Sequence, residues 1–287
     1  MSTRRFAVVG SPVAHSLSPV LHTAAYRALG IEDAEYARHD VPAGALERFL
    51  AEGPGRMLDG LSVTMPGKPE AFALASRHDA TSLELGIANT LVREADGTWR
   101  AENHDVHGIV AALRDHGADR PTTGAVLGSG ATALSALAAL AELGTTAVLL
   151  TARSPEKLAP LLALAAARGI TVRTVPWDVH HEVLAVDVAV SALAVDGAQA
   201  VAARWAPRED LPVPGVLLDV LYDPWPAPIA AVLAERGGEV ADGLEMLAHQ
   251  ADMQVRSMLS VPSAPVAVML RATREELARR RTGADGV

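Results

Sequence analysis

Residues 123–157 read TGAVLGSGATALSALAALAELGTTAVLLTARSPEK. The apolar run 125–127 suits a buried strand and leads directly into Gly128, Gly130 and Ala133 at the spacing G-x-G-x-x-A. The first glycine permits a tight bend, the second lets the backbone approach a pyrophosphate, and the alanine keeps the following helix close to its strand. Ser129, Ala131 and Thr132 complete the turn and the helix N-terminus that faces the anion. An Ala/Leu-rich helix then runs to Gly144, which suits a C-terminal stop, and residues 147–151 return as a second strand. Strand, small-residue turn, helix and returning strand together predict a dinucleotide site in a doubly wound α/β domain.

The end of the second strand selects the cofactor. A site for NAD places Asp or Glu there for the ribose 2′-hydroxyl. This chain reads Thr151-Ala152-Arg153-Ser154, with Lys157 one turn further on. A guanidinium in place of a carboxylate suits a 2′-phosphate, so the expected cofactor is NADP. Ser154 is expected to cap a helix that starts at Pro155.

Composition narrows the function classes. A chain of 287 residues, 49% hydrophobic and 21% charged, suits a globular protein of two domains. The formal charge of −9 argues against a nucleic-acid partner, which needs a basic face. The absence of cysteine removes disulfide and thiolate chemistry. No run reaches the about 18 apolar residues of a membrane span, and no signal peptide opens the chain, so a cytoplasmic protein without membrane partners is expected. Only 3% of residues are aromatic, and the core must come from Ala, Val and Leu.

The N-terminal third alternates in the same way. A strand over residues 5–9 stops at Gly10, and Ser18 is expected to cap a helix led by Pro19 and ended by Gly30. A strand over 35–39, a helix over 42–51 and a strand over 57–64 follow, making βαβαβ before the dinucleotide unit begins. Lys68 then falls near the start of a helix, where a cation opposes the dipole. Residues placed against local preference are candidates for function. A small-residue turn at residues 86–89 enters a hairpin closed at Asp96-Gly97 and returning over 99–103, and Asp105 follows just before a helix expected from residue 108. The pairs His104/His107 and His180/His181 have no third ligand at recognisable spacing, so no metal is expected.

Asp119-Arg120-Pro121 reads as a linker. Buried strands are expected over 171–175, 186–191 and 216–220, and ligands of open parallel sheets gather beyond the carboxyl ends of such strands. Ser191, Val220 and Tyr222 are therefore placed near the nicotinamide half of the cofactor. Gly243 opens a helix that carries Gln250 behind an apolar face, and the last helix, from about residue 264, ends in Arg279-Arg280-Arg281, with disorder expected over 283–287.

Eight segments in order resemble the shikimate dehydrogenase family: His15-Ser16-Leu17-Ser18-Pro19, Val63-Thr64-Met65-Pro66-Gly67-Lys68, Ala88-Asn89-Thr90-Leu91, Asn103-His104-Asp105, the Gly128 turn, Ala152-Arg153-Ser154, Asp219-Val220-Leu221-Tyr222-Asp223-Pro224, and Gly243-Leu244-Glu245-Met246-Leu247 with Gln250. The resemblance implies a discontinuous substrate domain over residues 1–107 and 240–287, an NADP domain over 108–239, and a monomer or homodimer. It also implies reduction of 3-dehydroshikimate to shikimate, with Lys68 and Asp105 as the catalytic pair. Ser16 and Ser18 would hold the substrate carboxylate, while Thr64, Asn89 and Gln250, with Asp105, would read the ring hydroxyls. Ser62 and Tyr222 join the substrate set, and Gly128, Ser129, Gly130, Ala131, Thr132, Ala152, Arg153, Ser154, Lys157, Ser191, Val220 and Gly243 join the cofactor set.

The chain departs from the family pattern at Ser62, Ala152 and Ser191, where Asn is usual, and at His104, where Thr is usual. The departures weigh more on the cofactor half than on the substrate half. The alternatives are a relative that oxidises quinate or an aminoshikimate, with NAD in place of NADP, and a non-catalytic sensor of shikimate or a nucleotide. The presence of both Lys68 and Asp105 speaks against the sensor, which needs neither.

Overall fold

The structure is a computed structural model that describes residues 3–284. Its internal contacts divide the chain into two units, residues 1–104 with 247–287, and residues 105–246.

The first unit holds β1 (Arg4–Gly10), α1 (Ser18–Ala28), β2 (Ala34–Asp40), α2 (Leu46–Ala51), β3 (Gly60–Val63), α3 (Lys68–Leu74), β4 (Arg77–His78), α4 (Ala80–Leu85), β5 (Thr90–Arg93) and β6 (Trp99–Glu102). Their sheet has the order β2-β1-β3-β5-β6-β4. β1 pairs in parallel with β2 and β3, whereas β5 runs antiparallel to both β3 and β6. The expected helix over 42–51 keeps only its second half. Gly44 takes a left-handed φ of +76°, and the Glu70 carboxylate accepts the amides of Gly44 at 2.6 Å and Leu46 at 3.3 Å, so the helix begins late. The expected strand over 57–64 shortens because Gly53–Met57 winds into a 3₁₀ turn. Ser18 is not the cap of α1: Leu17 is already helical and holds that position, so Ser18 becomes the first helical residue.

The second unit holds α5 (Asp105–Asp115), β7 (Thr123–Leu127), α6 (Ala131–Glu142), β8 (Ala147–Thr151), α7 (Ala159–Ala167), β9 (Thr171–Thr174), β10 (Val188–Ser191), α8 (Val195–Trp205), β11 (Val216–Asp219), α9 (Pro228–Ala234) and β12 (Glu239–Asp242). All six strands are parallel in the order β12-β11-β10-β7-β8-β9, which reverses direction between β7 and β10. That reversal is the switch point of a doubly wound sheet, where ligands bind. α5 starts three residues before the expected position, at Asp105. Ser154 makes no capping hydrogen bond, because Pro155–Leu158 forms a 3₁₀ turn ahead of α7. β12 has no counterpart among the expected strands, since its four residues carry no alternation.

α10 (Gly243–Leu259) starts in the second unit and continues from Leu247 as part of the first, which α11 (Val266–Ala284) completes. α10 places Ala248, Ala251, Val255 and Met258 against Phe6, Leu21, Tyr26 and Val92, burying one face of the first sheet. Leu46, Leu50, Leu61 and Ala71 bury the other face. The second unit packs Trp205, Leu127, Leu184, Leu217 and Ile229 into its own core. Of the residues expected to be disordered, Gly283 and Ala284 continue α11 and 285–287 lie outside the described residues. Among the described residues no helix is long and apolar enough to cross a membrane.

Asp242 and Glu245 form a reciprocal capping box at the start of α10. Asp242 Oδ1 accepts the amides of Leu244 and Glu245 at 2.9 Å each, and Glu245 Oε2 accepts the amide of Asp242 at 3.0 Å. The same Glu245 oxygen meets His116 Nε2 at 2.8 Å, while His116 Nδ1 faces Glu239. Partial burial opposes protonation of His116, but the two carboxylates outweigh it and raise the pKa. Protonated His116 also sits just past the C-terminus of α5, where the dipole favours a cation. A raised folded-state pKa means that the clamp contributes fully below the unfolded value and is lost as pH rises through the folded value. Denaturant unfolding of His116→Gln against the wild type should show a deficit on the order of 1 kcal/mol near pH 6 that shrinks towards pH 9. A deficit that is constant with pH would show that the charge plays no part.

Candidate active site

In the first unit the polar residues collect at the ends of β1, β3 and β5. Gly10 ends β1 with no room for a side chain, since a Cβ there would meet the Met65 carbonyl oxygen at 2.6 Å and the Thr64 methyl group. The loop carrying Thr64 therefore lies directly over β1, held by Ser11 N donating to Met65 O at 2.8 Å and Thr64 N to Val9 O at 2.9 Å. Lys68 follows as the first residue of α3 and is buried, although an ammonium at a helix N-terminus works against the dipole. Its carbonyl accepts the amide of Ala88 at 3.0 Å, which brings the next residue, Asn89, alongside.

Asn89 is the meeting point of the cluster. Its Oδ1 accepts the Thr90 hydroxyl at 2.8 Å and the His104 amide at 3.0 Å, and its Nδ2 donates to Gln250 Oε1 at 2.6 Å. Ser16 Oγ donates to Ser18 Oγ at 3.3 Å and accepts the Ser18 amide at 3.3 Å. Ser62 is buried in β3, where it accepts from Tyr36 Oη at 2.6 Å and donates to Gln254 Oε1 at 2.8 Å. The sequence reading named neither Tyr36 nor Gln254. The signal was available in Gln254, one helical turn after Gln250 and therefore on the same face of α10. His104 is buried against Glu102 at 2.8 Å, a local contact that occupies one of the four histidines weighed as metal ligands.

In the second unit the expected cofactor residues lie at the carboxyl ends of the parallel strands. Gly128 follows β7 with φ +122°, and a Cβ there would meet the Ala192 carbonyl oxygen at 2.7 Å across the switch point. Gly130 is the N-cap of α6 and supplies no side chain to its first amides, and a Cβ on it would meet nothing within 4 Å. Ser129, Ala131 and Thr132 are partly exposed around that N-terminus. Past β8, Ala152 is buried, Arg153 and Lys157 are exposed, and Ser154 is half-buried. Ser191 ends β10 in register with Asp219 of β11, which is itself in register with Asp242 of β12. Burial pushes the Asp219 carboxyl up to about 7, against the Leu221 amide that donates to it at 3.2 Å. Gly243 tolerates no side chain, because a Cβ would meet the Leu221 carbonyl oxygen at 2.7 Å and the Val220 carbonyl still closer. Tyr222 is half-buried in the loop beyond β11. Asp105, buried, is the first residue of α5, where a carboxylate suits the dipole.

This half fits a dinucleotide 2′-phosphate. The first amides of α6 have no side-chain cap, open space adjoins Gly130, and the strand end at 151–154 carries a guanidinium and no carboxylate. The buried Thr151 hydroxyl beside it has no protein partner. His180 has an internal use: Trp205 Nε1 donates to its Nδ1 at 2.8 Å, and burial pushes its pKa down to about 4. Among the described residues no group of three His, Cys, Asp or Glu is arranged to hold a metal.

Residues 8–91 match the family model described as the shikimate dehydrogenase substrate binding domain. A shikimate dehydrogenase (NADP(+)) of Synechococcus sp. (strain JA-3-3Ab) is 34% identical over 285 residues, covering 97% of this chain and 96% of that protein. The chain belongs to the shikimate dehydrogenase family. The Mycobacterium tuberculosis shikimate dehydrogenase structure is similar at 40% identity and a TM-score of 0.82, covering 95% of this chain and 99% of that one. The shikimate 5-dehydrogenase of Thermus thermophilus, solved in complex with NADP(H) and shikimate, matches at 28% identity and a TM-score of 0.78, covering 95% and 99%. The family thus has the two architectures read above, a substrate-binding unit and a doubly wound NADP unit.

The two glycines of the phosphate turn differ in what they tolerate. Gly128→Ala meets both the left-handed φ and the Ala192 carbonyl, and should cost about 1–3 kcal/mol of stability. Gly130→Ala enters open space and should leave the melting temperature unchanged while weakening NADPH binding by tenfold or more. Calorimetry and fluorescence titration separate the two. A stability loss at Gly130 equal to that at Gly128 would contradict the assignment.

Proposed function

We propose that this chain catalyses the NADP-dependent, reversible reduction of 3-dehydroshikimate to shikimate, with Lys68 and Asp105 as its catalytic pair. The observation that supports the reading is the presence in one chain of the buried Asn89–Gln250 hydrogen bond and of a glycine turn followed by Arg153. The names of the matched relatives support it over the quinate, aminoshikimate and sensing alternatives.

NADPH, when bound, supplies the hydride. The chain's own residues do the rest. Gly128 to Thr132 receive the pyrophosphate, Arg153 and Ser154 the 2′-phosphate, and Ala152, Lys157, Ser191, Val220 and Gly243 line the remainder of the cofactor site. Ser16 and Ser18 hold the carboxylate. Thr64, Asn89, Gln250 and Asp105 pair the ring hydroxyls, and Ser62 and Tyr222 complete the substrate set. Each ring hydroxyl removed from the substrate would leave a buried protein group unpaired, at a cost of about 1–3 kcal/mol. Lys68 donates a proton to the ketone oxygen as it becomes an alkoxide, with Asp105 as the other member of the catalytic pair.

Absorbance of the reduced nicotinamide tests this directly, with shikimate and quinate each offered with NADP and with NAD. Shikimate with NADP should be the preferred pair. Lys68→Ala should lower kcat by about 10²–10⁴-fold, and Arg153→Ala should raise KM for NADP without raising it for NAD. Preference for quinate, or full activity in Lys68→Ala, would refute the assignment.

A further inference from the structure

The side chain of Gln254 is 1% exposed and has all four of its hydrogen-bonding positions filled. Its Nε2 donates to the Asn89 carbonyl at 3.2 Å and to Thr90 Oγ1 at 2.9 Å, while its Oε1 receives Ser62 Oγ at 2.8 Å and His22 Nε2 at 3.4 Å. A backbone carbonyl can only accept, so Asn89 decides which way the amide faces. The remaining hydrogens then follow in sequence. Ser62 must give its one proton to Gln254, and Tyr36, 2.6 Å away, must therefore give its own to Ser62.

Burial pushes the pKa of His22 down to about 3, so the ring is neutral and holds a single proton. Tyr26 Oη lies 3.4 Å from Nδ1, and with the proton on Nε2 the ring accepts from Tyr26 and donates to Gln254. His22 also stacks on Tyr36 with ring centroids 4.0 Å apart and planes 14° apart, which fixes the tyrosine over Ser62.

The serine hydroxyl has one proton and two lone pairs. With the proton on Gln254 and one lone pair filled by Tyr36, Ser62 has a single lone pair left. It can accept a hydrogen bond from a ligand and can give none. An asparagine, the usual residue at this position in the family pattern, offers both a donor and an acceptor.

We propose that Tyr36 and Gln254 are positioning residues that make Ser62 an acceptor-only reader, so that Ser62 selects a ring hydroxyl of the substrate and takes no part in holding its carboxylate. The proposal rests on the reading of the chain as a shikimate dehydrogenase and adds a division of labour within its substrate set. Ser16 and Ser18 can still turn their protons to a carboxylate, because only the links from Tyr36 onward are fixed by the Asn89 carbonyl.

The test pairs protein variants with substrate analogues, comparing shikimate with analogues that lack one ring hydroxyl each and with its methyl ester. Ser62→Ala should raise KM for shikimate about tenfold at unchanged kcat, and the rise should vanish with one deoxy analogue and persist with the ester. Tyr36→Phe keeps the ring and its stacking on His22, and should show a smaller KM effect that vanishes with the same analogue. A Ser62→Ala penalty that disappears with the ester, or survives every deoxy analogue, would overturn the proposal. So would a Tyr36→Phe effect that appears in kcat or is equal for all ligands, which marks a general structural role. Wild-type enzyme that fails to turn over shikimate at all would instead refute the function itself, before any variant is compared.

Discussion

Asn89 ties together parts of the first unit that the chain keeps far apart. Its amide donates to Glu102 O at 3.0 Å, its carbonyl accepts Val63 N at 2.7 Å, and its side chain reaches Thr90, His104 and Gln250. One buried residue thus binds β3, the end of β6 and helix α10. Buried polar groups of this kind are costly when unpaired and specific when paired. Because Gln250 and Gln254 both close on Asn89, the position of α10 over the sheet is set by directional bonds as well as by the apolar contacts of Val255 and Met258 with Phe6.

The second unit is governed by the opposite device, the removal of side chains. Gly128 and Gly243 stand where a Cβ would strike the carbonyls of Ala192, Val220 and Leu221, so backbone meets backbone at the carboxyl edge of the sheet. The polar side chains that remain there, Thr151, Ser191 and Asp219, are fully buried at strand ends. Their burial explains why the Asp219 carboxyl holds its proton far above the usual carboxylate range.

Most of the architecture was legible because period and punctuation agree. The 125–127 run, the three small residues after it and the Gly144 stop are local signals, and each corresponds to an observed boundary. The segments misread were those where tertiary contacts override local pattern. Pro42 looked like a helix start, yet the Glu70 carboxylate, from another helix, sets where α2 begins. Ser18 looked like a cap, yet Leu17 takes that position. In the site, residues within short motifs could be read directly. Tyr36 and Gln254 could not, since a tyrosine in a strand and a glutamine in a helix look ordinary until the fold brings them to Ser62. The Asp242–Glu245 capping box was a missed local signal, as its Asp-x-x-Glu spacing stands in the sequence.

The first unit is discontinuous, and this has a bearing on the order in which the molecule can form. One face of its sheet, carrying Phe6 and Val92, is covered by α1 through Tyr26 and by α10 and α11, which follow the whole of the second unit in the chain. Until they emerge, that face is covered by α1 alone and lacks the two glutamines that close on Asn89. The intervening unit has no such dependence, because residues 105–246 form one continuous stretch with its own core. The continuous second unit is thus the part able to mature first on the ribosome, and the first unit waits for α10 and α11. Truncated chains would accordingly acquire a structured cofactor module long before any competence to bind substrate.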